Sequence, residues 1–287
     1  MSKVRLVRRL LPVGRHGRQR PPAPRPGTTL PGTAAPSTAV SPGPESRQFK
    51  TSCWVCGRPG TFERGAGRRV LGGFACPHCG AILRYQGLAR ALVRCYSRDG
   101  ARSLAKLVRE PAFRALRIYE PGNMGVLQRY LRKVPVHVRT SYFPDVEPGA
   151  RVNGVRCENL MALTFPAGEF DLVITHDVME HVRHPRAAFA EIHRVLRPGG
   201  RHVFTVPVRH PMPPRTIARV DVSGEEDVFL KKPVYHDGDH LVYNDFGADL
   251  VELLDDVGFD TDVVRFESPD EEASTQLTFC ARRREEG

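Results

Sequence analysis

No stretch of this 287-residue chain approaches the roughly 20 consecutive apolar residues that a membrane-spanning helix needs. No membrane span is therefore expected. Acidic residues are nearly missing from the first third. Residues 1–50 carry ten Lys or Arg against Glu45 alone, and residues 51–98 carry eight Arg against Glu63. The net charge of +11 comes from that third, and the remainder has a net charge of −5. An enzyme acting on duplex nucleic acid would be expected to show a basic footprint at its active face. Here the basic part lies apart from the acidic remainder. Large apolar side chains are scarce between Leu11 and Lys50, so this stretch cannot bury enough surface to offset its ordering entropy. Residues 1–50 are expected to be a disordered, Pro/Arg-rich tail. It is either a solvated segment or a basic arm for nucleic acid or an anionic membrane surface. The LVRRLL start lacks a long apolar core, so no signal peptide is expected and a cytoplasmic, reducing setting is the economical reading. An Arg-rich, acid-poor start is also the composition of a transit peptide.

Of seven cysteines, four form two C-x-x-C knuckles, Cys53-Trp-Val-Cys56-Gly and Cys76-Pro-His-Cys79-Gly. Four thiolates at this spacing suit tetrahedral Zn²⁺ in a ribbon over residues 51–84. Four protein ligands would fill the coordination sphere, so the metal would be structural. A disulfide reading would need an oxidising compartment. A redox reading would use one knuckle only. His78 is a possible substitute ligand. The segment between the knuckles reads as a hairpin too small for its own core, so the metal would supply folding energy. Residues 85–112 read as a helical linker. Gln86–Ser97 forms one helix, and Arg102–Arg109 another that is stopped by Pro111.

The remainder, 113–284, is organised around FDLVITHDVMEHVRHPRAAFAEIHRVLRPGGRHVFTVP, residues 170–207. Phe170–Thr175 is a short apolar run, as in a strand buried on both faces. Arg186–Leu196 has apolar residues at helical spacing. Pro198-Gly199-Gly200 should stop that helix and turn the chain into a strand at Val203–Val206. A strand–helix–strand unit of this kind belongs to an open α/β sheet, which binds ligands beyond the carboxyl ends of its strands. Leu116–Glu120, Val134–Thr140 and Val155–Leu160 read as earlier strands. Phe246–Val257 reads as a last helix, and Phe259–Phe266 with Gln276–Ala281 as a closing antiparallel pair. Val208–Val242 reads as a long loop, and its length suggests function. Tyr235, His236, His240 and Tyr243 are its acceptor-side candidates. HDGDH within it lacks a recognised metal-ligand spacing.

FDLVITHDVMEHV followed by RVLRPGG closely resembles the second half of class I S-adenosylmethionine-dependent methyltransferases, the type-11 group in particular. The resemblance extends more weakly over roughly 116–282. It implies a Rossmann-like, doubly wound α/β sheet of about seven strands, with S-adenosyl-L-methionine as cofactor. It also implies cofactor-binding positions. Glu120, Gly122 and Gly125 match the glycine-rich turn, thinned here to E-P-G-N-M-G. Ser141 stands nearest the tip where the family has an acidic residue for the ribose hydroxyls. A neutral contact there would weaken binding by about 1–2 kcal/mol. Asn159 and Leu160 match the adenine position, and His176 and Asp177 should lie beside the sulfonium. Glu180 and His181 are candidates for a general base, or else brace the helix that follows. The expected activity is methyl transfer to a small-molecule or glycan acceptor. An RNA methyltransferase is one alternative, although no aromatic stacking motif or N-P-P-Y-like base site is visible. A non-catalytic zinc-binding scaffold on a degenerate methyltransferase fold is the other.

Overall fold

The computed structural model describes residues 47–64, 74–122, 125–236, 239–267 and 276–285. The expected tail, residues 1–50, lies outside the described residues except at its end. Arg47–Ser52 is a strand (β1), which moves the boundary drawn at 50. Its side chains alternate about Phe49, and it pairs antiparallel with Pro59–Arg64 (β2) over all six residues. Phe74–Ala75 (β3) completes this three-stranded sheet.

The helix Leu83–Tyr96 (α1) follows directly. The expected Arg102–Arg109 helix is a single turn, Leu104–Leu107 (α2), and a second turn, Pro111–Arg114 (α3), follows it. Pro111 begins the second turn instead of ending the first, because its missing N–H and fixed φ suit a first helical position.

Then come Arg117–Pro121 (β4), a 3₁₀ turn at Gly125–Leu127 running into Gln128–Leu131 (α4), and Val136–Ser141 (β5). Arg151–Val152 (β6), Val155–Cys157 (β7) and Phe170–His176 (β8) follow. Pro185–Val195 (α5) crosses over to Leu196–Thr205 (β9). The helix ends before Pro198-Gly199-Gly200, so that motif is a bulge inside β9 and not the helix stop. Phe170 pairs with Leu196 but Leu172 pairs with Arg201, so the extra residues loop out between them. Gly199 has φ +74°, and a Cβ on Gly200 would lie 2.9 Å from the Arg197 carbonyl oxygen.

Among the described residues, the expected long loop Val208–Val242 and the residues just after it form three two-stranded ladders. Their strands are Ile217–Ala218 (β10), Val220–Asp221 (β11), Val228–Phe229 (β12), Tyr235–His236 (β13), His240–Leu241 (β14) and Asn244–Asp245 (β15). The ladders pair β10 with β15, β11 with β12, and β13 with β14. Leu250–Val257 (α6), Phe259–Arg265 (β16) and Leu277–Arg283 (β17) finish the chain.

The main sheet has the order β16-β17-β9-β8-β4-β5-β7-β6. It has eight strands where about seven were expected. The addition is β6, a two-residue strand antiparallel to β7 at the edge. The five strands β7, β5, β4, β8 and β9 are mutually parallel, and β16 with β17 is the expected antiparallel closure.

Period-2 alternation sorts the two faces. Ile118, Leu172, Ile174, Val203 and Cys280 face one core. Tyr119, Val173, Phe204 and Phe279 face the other, beneath α5 and α6. The first core is shared with α1 and with Phe49, Cys53, Val55, Phe62, Phe74 and Cys76. These residues of the expected ribbon therefore pack in one core with the sheet and α1. The linker helix α1 is core too, with Leu83, Leu88 and Leu92 fully buried. Each such leucine contributes about 2 kcal/mol.

His202, on β9, is fully buried and stacked on Phe204 with ring centroids 4.3 Å apart. Its Nε2 lies 3.0 Å from the Thr175 hydroxyl. Burial pushes its pKa down from 6.5 to about 3. The unfolded chain therefore binds a proton here before the folded chain does, so this contribution is full above about pH 6.5 and is lost as pH falls toward 3. The slope is about 1.4 kcal/mol per pH unit. Replacing His202 with Phe should flatten the acid limb. Between pH 6.5 and 4.5 the parent should lose about 2 kcal/mol more than the variant, measured by urea unfolding across pH. Parallel limbs would contradict a neutral buried imidazole.

Candidate functional site: the carboxyl edge of the sheet

Because β7, β5, β4 and β8 run parallel, their carboxyl ends share one edge, and most of the expected site residues stand on it. Register places Pro121 beside Thr140 and Ser141 beside Cys157, and puts Thr205 of β9 next to His176. Glu120, Ser141, Asn159 and His176 thus occupy the ends of neighbouring strands or the residues just after them.

Glu120 is fully buried, and both its oxygens are engaged. Oε1 accepts from Gln128 Nε2 at 2.9 Å, and Oε2 lies 2.6 Å from His137 Nε2. Gly122 (φ +84°) and Gly125 (φ +49°) hold left-handed conformations in the turn after β4. Among the described residues a Cβ on Gly122 would meet only Val178, at 3.6 Å, which leaves room for close approach to the backbone there. At Gly125 a Cβ would lie 2.6 Å from the Tyr85 hydroxyl.

Ser141 is half-buried at the β5 tip. Glu158, whose amide donates to the Ser141 carbonyl, is 2% exposed, and its carboxylate is committed elsewhere. It accepts from Arg156 Nε at 2.7 Å and from the Thr164 amide at 2.9 Å. Asn159 Oδ1 accepts from the Met161 amide at 2.9 Å, which leaves one lone pair of its carbonyl oxygen for a ligand. Leu160 is half-buried and packs on the second core.

His176 ends β8, and Asp177 follows it. Asp177 has φ +50°, a conformation rare outside glycine, fixed by its amide donating to the Thr205 carbonyl and by Thr205 Oγ1 donating to Oδ1. Arg84 of α1 forms an ion pair with its other oxygen. Tyr85 stacks on the His176 ring, centroids 4.4 Å apart. Burial first, then Arg84, pushes the His176 pKa down to about 3, so this ring is neutral. The first turn of α1 therefore roofs the edge through Arg84 and Tyr85, which sequence reasoning left out of the site. No local signal marks them, since their partners lie about ninety residues away.

Glu180 and His181 sit in the 3₁₀ turn Met179–His181 just beyond β8. His181 Nδ1 faces the Leu241 carbonyl oxygen at 2.8 Å, so that nitrogen carries the proton and Nε2 is the lone-pair side. Burial lowers the pKa of His181, and the Glu180 carboxylate opposes the shift. His236 is drawn in from the hairpin β13–β14. The Tyr243 hydroxyl is occupied by Asp227 at 2.7 Å, and Tyr235 is exposed.

The four cysteines of the knuckles also converge. Cys53–Cys79 and Cys56–Cys76 each stand with sulfurs 3.7 Å apart, and all four thiols are free. A tetrahedral ion at about 2.3 Å from four sulfurs sets them about 3.8 Å apart, whereas a disulfide needs about 2 Å. Gln86 Nε2 and the Cys56 amide donate to Cys53 Sγ at 3.2 and 3.3 Å, as groups supporting a thiolate ligand do. The Cys79 thiol, with these donors, draws Cys53 down to about 4. His78 turns away, its Nε2 2.9 Å from the Pro59 carbonyl oxygen, and is not part of the cluster.

Comparison with known proteins bears on the sheet. Residues 138–204 match a family described as "Methyltransferase domain". An uncharacterized methyltransferase of Schizosaccharomyces pombe is 44% identical over 45 residues, a match that spans 16% of each chain. A solved S-adenosylmethionine-dependent methyltransferase from Mesorhizobium loti is 21% identical, covering 58% of this chain and 91% of that one with a TM-score of 0.41. One from Methanosarcina mazei is 17% identical, covering 60% and 93% with a TM-score of 0.35. Among the described residues no helix is long and apolar enough to cross a membrane. The matched segment runs from Val138 in β5 through the Glu180-His181 turn to Phe204 in β9, so this stretch of the sheet and its carboxyl edge is what is similar to a methyltransferase domain.

Proposed function

We propose that the chain transfers a methyl group from S-adenosyl-L-methionine to a small-molecule or glycan acceptor. The observation that carries this reading is the gathering of Glu120, Gly122, Ser141, Asn159 and His176 along one sheet edge, three of them within the matched residues 138–204. When bound, the cofactor supplies an electrophilic methyl on a sulfonium. Gly122 would let the backbone approach its methionine end, with Glu120 behind that turn. Ser141 would meet the ribose and Asn159 the adenine. His176, neutral and with no hydrogen-bond partner for its Nε2 among the described residues, and Asp177 would border the sulfonium. The chain's remaining task is alignment, since holding nucleophile and electrophile in contact supplies most of what such a transfer needs. The surface of the domain supports a non-nucleic-acid acceptor. Arg183, Arg186, Arg209, Arg215 and Arg284 are each paired with Asp or Glu, so they leave little free basic footprint.

Zn²⁺ at Cys53, Cys56, Cys76 and Cys79 would be a structural ion that ties the ribbon to α1.

Calorimetric titration of the full chain with S-adenosylmethionine should give one site per chain. Silence at millimolar cofactor would leave only the scaffold reading. Binding of a mixed RNA should show no steep dependence on salt. A slope of several counterions would move the acceptor to RNA.

A further inference from the structure

The Glu180 carboxylate is 1% exposed, and neither of its oxygens has a hydrogen-bond partner among the described residues. Burying an uncompensated carboxylate costs several kcal/mol, so such a group calls for a counter-charge. The neighbours that face it are two imidazoles. His181 Nε2 stands 3.6 Å from Oε1 and His236 Nδ1 stands 3.7 Å from it. The two nitrogens are 3.2 Å apart.

We infer that Glu180, His181 and His236 form a second metal site, for a divalent transition ion held by two imidazoles and one carboxylate. An ion about 2.1 Å from tetrahedral ligands sets those ligands roughly 3.4 Å apart, and the three observed edges straddle that value. His181 is already oriented for this role. Its Nδ1–H donates to the Leu241 carbonyl, which turns the Nε2 lone pair toward the other two groups, the outer-shell arrangement typical of metal-bound histidine. The Tyr243 amide donates to the Glu180 carbonyl at 2.8 Å and fixes the turn beneath the hairpin that carries His236. Two nitrogens and one carboxylate favour zinc, iron, cobalt or nickel over magnesium or calcium, which prefer all-oxygen shells. His240, with a side chain 63% exposed and its Nε2 toward Asp239, stays outside the triad. Three protein ligands leave at least one open position. The triad lies beyond β8, next to the residues that would border the sulfonium. On the methyl-transfer reading, and only on it, that open position would take an oxygen of the acceptor.

The ion alone tests the site. The full chain, stripped with chelator, is titrated with Co²⁺ in the absence of cofactor. Two equivalents are expected. One shows intense thiolate charge-transfer absorption from the cysteine cluster, and the other only weak ligand-field bands. His236→Ala should weaken the second class at least 100-fold, since even outer-shell losses cost 10–100-fold, and leave the thiolate class unchanged. Glu180→Gln should do the same. Because Glu180 is buried, the partly exposed His236 variant keeps the test valid if Glu180→Gln does not fold. A single thiolate class in the parent, or a second class indifferent to His236→Ala, would overturn the site. Neither result depends on whether S-adenosylmethionine binds.

Discussion

Cys53→Ser is expected to release one equivalent of zinc per chain and to lower the melting temperature of the whole folded unit by about 10 °C. The expectation rests on where Cys53 sits. It is fully buried, its sulfur accepts from Gln86 and the Cys56 amide, and it belongs to the same core as α1 and the sheet strands β4, β8 and β9. Removing one member of a buried charged cluster leaves the rest uncompensated, at a cost of about 3–5 kcal/mol. In a domain of 150–250 residues each kcal/mol is worth about 2–4 °C. A ribbon standing on its own would melt locally and leave the main transition in place. Here α1 donates Gln86 to the cluster and Leu88 and Leu92 to the sheet face, so the loss should appear in the main transition. His78→Ala is the matched control and should keep its zinc, because that ring faces Pro59 instead. Scanning calorimetry with metal analysis checks both. A Cys53→Ser chain that keeps its metal and its transition would remove the structural ion.

The parts of this molecule readable from the chain are those whose cause is local. The run Phe170–His176 is buried along its length because both faces of a central parallel strand are covered, and an unbroken apolar run is what such burial requires. Arg186–Val195 spaces its apolar residues for one covered face. The knuckles announce themselves because a turn bringing two thiolates together needs only four residues and a glycine, and Gly57 and Gly80 do adopt left-handed φ. The acidic residue that opens the β8 signature also has its cause in view. Asp171 accepts from the Arg117 amide at 2.6 Å and pairs with Arg197, fastening β8 to β4.

What escaped has distant causes. Arg84 and Tyr85 look like surface positions of a linker helix until the sheet edge presents Asp177 and His176 to them. His236 becomes a neighbour of Glu180 only because β13 and β14, two residues each and without alternation, close into a hairpin. Pro111 was read as a stop, but the same ring is equally suited to start a turn, and tertiary packing of Phe113 decides between them. Residues 47–50 read as the end of the tail because large apolar side chains are scarce up to Lys50. The partner strand β2, not composition, makes Arg47–Ser52 a strand.

Glu120→Ala should cost about 3–5 kcal/mol and abolish measurable cofactor heat, whereas Glu120→Gln separates the two effects. The carboxylate is fully buried between Gln128 and a His137 ring whose side chain is 4% exposed. Deleting it strands both partners in the interior, the case in which removing one group costs most. An amide of the same shape retains one acceptor oxygen for Gln128 and offers an N–H to His137 Nε2, so most of the stability should return and the urea midpoint should lie near the parent's. The charge does not return. Glu120 stands at the end of β4, where its negative charge would favour a cationic group of the ligand. A charge-assisted hydrogen bond is about twice as strong as a neutral one, so the amide should weaken S-adenosylmethionine binding roughly tenfold in a protein of near-parental stability. If Glu120→Gln bound cofactor as the parent does, Glu120 would be a brace for β5 and α4 alone. The cofactor reading would then rest on Gly122, Ser141 and Asn159.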